Sequence, residues 1–210
     1  MNTRPRRPAQ MTDEQIDSLP GDNDVAYNSE LAHSSAQALV PMGRNRIEYD
    51  ETVRSRILNI AKVEGVDVLA QLWTNSPADT LPGILWRGFL LTQWIERDYA
   101  VVTARFLRGK EKEDQCGELS VDVSSYRDIL PEDIAQEWRA VFSGSYDEHF
   151  DVLLSKTAYV TFMCALSDVT WIENDADILS TYVTRRSKAM AHVSRDFYHA
   201  SRLVIDGELE

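Results

Sequence analysis

The segment that most constrains how this chain can fold is LPGILWRGFLLTQWI, residues Leu81–Ile95, the most apolar run in the sequence. Drawn as a helix, it is apolar on almost every side, and a helix of that kind is normally buried against several neighbours. We therefore predict a central core helix over about residues 80–96, which only Arg87 interrupts strongly. The large apolar side chains that cover its sides are Ile84, Trp86, Phe89, Leu90, Leu91, Trp94 and Ile95.

Helical periodicity continues on both sides of this run. Asp79 or Thr80 can cap the central helix, and we expect a bend near residues 97–98 before the next one. Gly109 is expected to end that next helix, followed by a charged surface loop over residues 110–117. A helix is predicted from about Asp50 to Glu64, and a short helix with Val66, Leu69, Leu72 and Trp73 on one side is expected to end at residues 75–77. Another helix is expected to begin at Pro131 and to be stopped by Gly144.

The last third of the chain carries two long helical patterns. The residues Ser145–Glu148 resemble a capping box for the first, and Asn174 and Asp175 are expected to begin the second. Two long helices joined by a short loop are typical of an antiparallel pair. We therefore predict an all-α, multi-helix bundle with a C-terminal antiparallel helix hairpin over about residues 146–206. The expected seam of the last helix is Leu179, Val183, Arg186, Met190, Val193, Phe197, Ala200 and Val204.

The N-terminal residues differ in composition from the rest. Residues 1–47 are rich in Pro, Ser, Asn and Asp and show no strong apolar period. Thr12 and Ser29 can each cap a helix, but both helices would be marginal alone. We therefore predict a poorly ordered or weakly helical N-terminal arm over residues 1–47 and a single helical domain over residues 48–210.

The charge balance restricts the partners of this chain. It has 22 basic and 34 acidic residues, a net charge of −12, which repels phosphate backbones and argues against direct nucleic-acid binding. The basic residues of 184–188 are diluted by nearby acids, so we interpret them as a solvated helix face. The apolar run is too short to span a membrane, because it is interrupted by Pro82, Arg87 and Glu96. The basic N-terminus is not followed by an apolar stretch, so it does not resemble a signal peptide. We expect a soluble, cytoplasmic protein without membrane contact.

Motifs that carry chemistry are absent from the sequence. It contains no Gly-x-Ser-x-Gly nucleophile elbow, no Gly-rich phosphate loop and no Glu-x-x-His pair of a di-iron bundle. Cys116 and Cys164 have neither disulfide nor metal-ligand spacing. Asp196 and His199 share a helix face, but such pairs are common without metal. We therefore predict no catalytic residue, no metal site and no cofactor.

One group of residues is a candidate ligand site: Arg87 beside Trp86 and Trp94. An arginine among aromatic side chains can receive a carboxylate or a phosphate. The alternative, which we favour, is a buried or half-buried arginine that stacks on indole and pairs with an acid of a neighbouring helix, because a charge in apolar surroundings needs a partner. The acids considered for this pair are Asp50, Glu64 and Asp79.

Residues 69–87, LAQLWTNSPADTLPGILWR, followed by Trp94–Asp98, resemble an uncharacterised actinobacterial family of small acidic helical proteins. That family has a SPAxTLPGxLWRL stretch and a WVxRD continuation, and the likeness covers about residues 50–210. Where the family tends to have leucine after Trp-Arg, this chain has Gly88, which predicts a notch beside Arg87. The resemblance implies no activity, cofactor or catalytic residue. Two further segments that resemble the family are 184–189 and 200–210.

These observations favour a non-catalytic cytoplasmic helical protein that acts through protein–protein contact or self-association, with the C-terminal hairpin as the candidate homodimer surface. An alternative from another class is a small-molecule binding protein or enzyme with a helix-walled pocket near Arg87 for an apolar acid or a phosphate. A third is an acidic transcription-associated factor that contacts basic proteins.

Overall fold

The computed structural model describes residues 22–41, 51–113, 126, 128–146, 149–167 and 180–210, and all regular structure in that part of the chain is helical. The predicted all-α fold is therefore confirmed. None of these helices is long and apolar enough to cross a membrane. In chain order they are α1 (Asp22–Leu39), α2 (Glu51–Val63), α3 (Val66–Trp73), α4 (Leu81–Arg97), α5 (Tyr99–Glu113), α6 (Pro131–Phe142), α7 (Phe150–Leu166) and α8 (Ser180–Asp206).

Local sequence signals set both ends of α4. The side chain of Thr80 accepts a hydrogen bond from the backbone N–H of Gly83 at 3.3 Å, and Pro82 occupies the first turn, where a missing N–H costs nothing. At the other end, the backbone N–H of Asp98 donates to the carbonyl of Trp94, and Asp98 itself leaves the helical conformation. The predicted cap and the predicted break before α5 are both confirmed.

The core of the protein runs along one side of α4, which packs against α1, α3, α5, α6 and α8. The predicted burial of this helix is confirmed, but it does not extend to every side. Leu90 is 46% exposed, and Trp86 and Trp94 are half-buried, because no described helix covers that strip completely. The buried residues of α4 are Leu81, Pro82, Gly83, Ile84, Leu85, Gly88, Phe89, Leu91, Thr92 and Ile95.

Helices α7 and α8 form the most extensive helix–helix contact in the described part of the chain, so the predicted C-terminal hairpin is confirmed. The hydroxyl of Ser194 donates to the backbone carbonyl of Ala158 across this interface at 2.7 Å. Phe197 and Ala200 of the predicted seam are buried. Small side chains let the two backbones approach, and three serines spaced seven residues apart are buried along α8: Ser187, Ser194 and Ser201.

The start of this hairpin differs from the prediction. Helix α7 begins at Phe150, and the side chain of Ser145 hydrogen-bonds backward, to the hydroxyl of Ser143 and to the carbonyl of Ala140. Ser145 therefore helps to end α6 at the turn formed by Gly144, whose φ of +67° suits glycine best. The other predicted capping residues lie outside the described residues: Glu148, Asn174 and Asp175.

The N-terminal part of the chain contributes a packed helix to the described structure. Helix α1 packs against α2, α3 and α4 and contributes to the same core. The hydroxyl of its Ser35 accepts a hydrogen bond from the indole N–H of Trp73 at 2.9 Å. Residues 22–39 of the segment predicted as a poorly ordered or weakly helical arm are therefore helical and packed, because contacts with neighbours stabilise a helix whose own sequence signal is weak. Residues 1–21 and 42–50 lie outside the described residues. The buried residues of α1 are Ala32, Ser35, Ala36, Ala38 and Leu39.

Helix α5 continues past Gly109 to Glu113, so the predicted helix end and the loop over residues 110–113 are wrong. A methyl group on Gly109 would overlap the backbone carbonyl of Met163 in α7. This glycine therefore permits a close crossing of α5 and α7, a different use of its missing side chain from ending a helix.

The residues after α8 close onto the start of α4. Leu209 is buried in the core, and the carbonyl of Glu210 accepts a hydrogen bond from the backbone N–H of Leu81 at 2.6 Å. The first N–H groups of a helix have no acceptor within it, so this contact satisfies one of them. It also joins the last helix to the central one.

Candidate functional site

Arg87, the predicted ligand-binding residue, pairs with an acid. Its Nε–H donates to Oδ2 of Asp196 at 3.0 Å, and its Nη1 donates to the backbone carbonyl of Gly83 at 2.9 Å. The acid belongs to α8, not to any of the three positions that the sequence suggested. About a quarter of each side chain is exposed, 24% for Arg87 and 29% for Asp196. This geometry matches the structural alternative, a half-buried arginine paired across two helices.

The two predicted tryptophans lie in different surroundings. The ring of Trp86 stacks on Phe89, one turn along α4, with centroids 5.9 Å apart. The guanidinium of Arg105 lies over the ring of Trp94, 5.7 Å from its centroid. The described contacts place neither indole against Arg87. Each indole therefore has an aromatic or cationic partner other than Arg87.

Replacing Arg87 with methionine is expected to lower the free energy of unfolding by about 1–2 kcal/mol, because a partly buried, charge-assisted hydrogen bond to Asp196 is lost. Urea unfolding of the purified protein measures this change. Arg97→Met is the matched control: Arg97 pairs with Asp98, but its side chain is 76% exposed, so little change is expected. The hydrogen bond to Asp98 and the charge of its carboxylate raise the pKa of Arg97 above its ordinary value. If the Arg87→Met variant proved more stable than the wild type, the pair of Arg87 and Asp196 would not stabilise the fold.

A groove in another part of the structure combines apolar and polar groups. It lies between α2, the start of α3, α4, and α6 with the turn that follows, and it has a volume of about 750 Å³. Its apolar residues are Leu58, Ala61, Val66, Phe89 and Phe142. Its polar residues are Ser55, Asn59, Lys62, Asp67, Thr92, Gln93, Glu96, Arg139, Ser143 and Ser145.

Several polar groups of the groove are already engaged. Nε of Arg139 lies 2.7 Å from Oε1 of Glu96, which joins α6 to α4. The hydroxyl of Thr92 donates to the carbonyl of Gly88 at 2.8 Å, so its position is fixed within α4. Two of the four charged side chains of the groove are therefore paired with each other, and the Thr92 hydroxyl is satisfied within its own helix.

Other polar groups of the groove have no such contact. Asn59 of α2 and Gln93 of α4 are exposed, and neither side chain has a hydrogen-bond partner among the described residues. Lys62 and Asp67 are exposed charges of opposite sign. The groove therefore offers two free amides and a balanced set of charges around an apolar centre.

Side chains that could hold a metal ion are not gathered in the part of the chain that the structure describes. Within the described ranges, no three His, Cys, Asp or Glu side chains lie close enough to hold a metal ion. Asp196, the acid of the Asp-x-x-His pair in the sequence, is engaged by Arg87. Cys164 is buried in α7.

Sequence reasoning missed the groove because four separate segments build it. One local signal was present: Ser55, Asn59 and Lys62 recur at steps of four and three and so share one face of α2. A second lay in α4, where Phe89, Gln93 and Glu96 share a face that borders the apolar one. Neither pattern shows that the two faces meet.

Comparisons with known proteins add no identification. No family model matches the chain, and no curated protein or solved structure is significantly similar to it. The resemblance of residues 69–98 to an actinobacterial family stays a prediction.

Proposed function

We propose that this protein is a non-catalytic binding protein that acts through protein–protein contact, and that the groove between α2, α4 and α6 receives an apolar segment of the partner. The observation that carries the proposal is the composition of the groove, whose apolar side chains are buried or half-buried and whose polar ones, apart from Thr92, are exposed. Protein interfaces share this arrangement of an apolar core within a polar rim. An acidic chain, net charge −12, would in addition attract partners that are basic elsewhere on their surface.

Two features favour a protein segment over a small molecule. The groove is only partly enclosed and is lined by four segments, whereas small-molecule pockets generally enclose most of their ligand. Arg87, the residue predicted to receive an anionic ligand, already donates to Asp196 and Gly83. A small-molecule function near Arg87 would have to displace this pair.

Self-association through the hairpin seam has less support. Phe197 and Ala200, which the sequence offered as a dimer surface, are buried within the chain, as is Ser194. A homodimer through the hairpin, which stays a proposal, would therefore use other residues, such as those exposed on α8. Membership of the actinobacterial family, a cytoplasmic location and an acidic transcription-associated role are kept as proposals; the last agrees with protein contact rather than with direct binding of nucleic acid.

The proposal is tested by crosslinking from the groove. A photoreactive benzoylphenylalanine replaces Ser55, an exposed residue of the groove, and in a control it replaces Gln71, exposed on α3 outside the groove. We expect a protein adduct from position 55 that position 71 does not give. The partner is then purified, and its Kd is measured against the wild type and two variants.

The first variant, Gln93→Trp, fills the groove, and the second, Gln71→Trp, makes the same change outside it. We expect Gln93→Trp to weaken binding at least about tenfold, since truncation or obstruction at the centre of an interface removes most of its energy. Gln71→Trp should leave the Kd unchanged. Equal binding by both variants would place the contact elsewhere, and the absence of any position-specific adduct would argue against protein–protein contact at this groove.

A further inference from the structure

We infer that one exposed face of α8 binds a short acidic segment of a protein partner. From residue 188 to residue 202, every exposed side chain of α8 except Ala189 can carry a positive charge, and none is acidic. We call this surface the basic stripe; it is separate from the groove, because none of its residues lines the groove. The basic stripe consists of Lys188, His192, Arg195, His199 and Arg202.

The spacing of its residues makes the basic stripe continuous. Successive members are three or four residues apart, so they lie next to one another on the same side of the helix. The opposite side of α8 packs against α7 and the core through residues such as Ser194 and Phe197. At 1.5 Å of rise per residue, the basic stripe is about 21 Å long from Lys188 to Arg202.

The positive groups of the basic stripe are not used by the fold. Among the described residues, Arg195 donates only to a carbonyl of its own helix, at 3.2 Å, and the other four members have no hydrogen bond or ion pair. Asp196, the acid within this stretch, is paired instead with Arg87 of α4, at 3.0 Å. The helix dipole favours cations in the last turn of a helix, but the last turn of α8 contains no basic residue. The stability of α8 therefore does not account for the stripe.

The chemistry of the basic stripe matches that of carboxylates. Ammonium, guanidinium and imidazole groups all donate N–H groups, and a guanidinium can hold a carboxylate by two parallel hydrogen bonds. The whole chain has 34 acidic and 22 basic residues, so the stripe attracts anionic groups to one place on a molecule that otherwise repels them. Acids are exposed just beyond one end of the stripe, at Asp206 and Glu208. The segment that binds must therefore be short.

A nucleic acid or a membrane fits this surface less well. A long phosphate backbone or a lipid surface would extend beyond the stripe onto the rest of an acidic chain, which repels it. Membrane-binding helices also insert large apolar side chains, and the exposed residues of α8 between positions 188 and 202 include none. An extended acidic segment of about seven residues, at about 3.3 Å per residue, matches the length of the stripe.

The experiment measures binding of a fluorescein-labelled peptide of seven glutamates to the full-length protein, by fluorescence anisotropy at low ionic strength. The stripe variant is Arg195→Gln/Arg202→Gln. The control variant, Arg56→Gln/Arg108→Gln, removes the same charge from exposed positions of α2 and α5. Because each exposed ion pair contributes modestly, we expect the stripe variant to bind the peptide about fivefold more weakly than the wild type. The control variant should bind as the wild type does.

Equal Kd values for the two double variants would overturn the inference, because the overall charge rather than the basic stripe would then govern binding. Absence of peptide binding by the wild type would overturn it as well. Tighter binding of a seven-nucleotide oligothymidylate, or of phosphatidylserine vesicles, would overturn it in favour of a nucleic acid or a membrane. Gln93→Trp, the groove variant, should bind the peptide as the wild type does, so the inference and the proposed function can fail separately.

Discussion

Replacing Gly109 with alanine is expected to lower the free energy of unfolding by about 2–3 kcal/mol, because the added methyl group overlaps the backbone carbonyl of Met163. The sign of this effect is the informative part. At an unconstrained position inside a helix, the same change stabilises by about 0.5–1 kcal/mol, since glycine loses more conformational freedom on folding than alanine. Urea unfolding measures the difference.

The cost arises because neither backbone can yield cheaply. To admit the methyl group, α5 must move away from α7, and this separation stretches contacts on both sides of Gly109. On one side Phe106 packs edge-on against Tyr159, with centroids 6.1 Å apart. On the other, the ammonium of Lys112 donates to the carbonyl of Ser167 at 2.7 Å. The loss of either contact adds to the free-energy cost of the steric overlap itself.

Glu111→Ala is the control for this prediction. Glu111 lies on the same helix and is exposed, so its replacement by alanine should change the free energy of unfolding by less than about 0.5 kcal/mol. A Gly109→Ala protein as stable as the wild type would mean that α5 and α7 do not cross as closely as described.

Gly109 also shows where sequence-based prediction fails. A glycine near the end of an apolar pattern can end a helix, or it can allow the backbone of another helix to approach closely. The local sequence looks the same in both cases. Gly144 was predicted to stop α6, and its φ of +67° confirms that use. The choice at Gly109 depends on Met163, which is distant in sequence, so local pattern could not decide it.

The predictions that succeeded depend on neighbouring residues. The start of α4 follows from Thr80 and Pro82, and its end follows from Asp98, all within a turn of the helix ends that they set. Burial of α4 follows from its own composition. Such signals act over a few residues and are readable in one sequence.

The predictions that failed depend on distant residues. Helix α1 has a weak pattern of its own and is held by contacts such as that of Ser35 with Trp73. Arg87 needed an acid, which the sequence did predict, but Asp196 is far along the chain and any exposed acid could have served. The groove likewise combines faces of α2, α4 and α6 that are unremarkable separately. Tertiary assembly, rather than propensity, decides each of these.

The second large effect is expected at Gly88 and Trp138, where α4 meets α6. Trp138 is fully buried, with its ring centroid 5.6 Å from that of Phe142 and 5.9 Å from that of Phe197. Its indole N–H donates to the hydroxyl of Thr157 at 3.0 Å. A methyl group on Gly88 would overlap the six-membered ring of this indole. Because the ring is held on several sides, we expect Gly88→Ala to destabilise the protein by about 2–3 kcal/mol.

Trp138→Phe should itself cost about 2 kcal/mol, because it leaves a cavity and removes the hydrogen bond to Thr157. The double variant Gly88→Ala/Trp138→Phe should nevertheless be more stable than the sum of the two losses predicts, since the smaller ring leaves room for the methyl group. We expect a favourable coupling energy of about 1–3 kcal/mol in a double-mutant cycle measured by urea unfolding.

The control cycle pairs Trp138→Phe with Gly109→Ala. The methyl group added at Gly109 meets Met163 and not Trp138, so these two losses should add to within about 0.5 kcal/mol. Coupling of Trp138→Phe with Gly88→Ala, together with additivity with Gly109→Ala, would show that Gly88 and Gly109 each allow close approach of a different residue. Additivity in both cycles would contradict the contact between Gly88 and Trp138, and with it the close packing of α4 on α6 that forms one side of the groove.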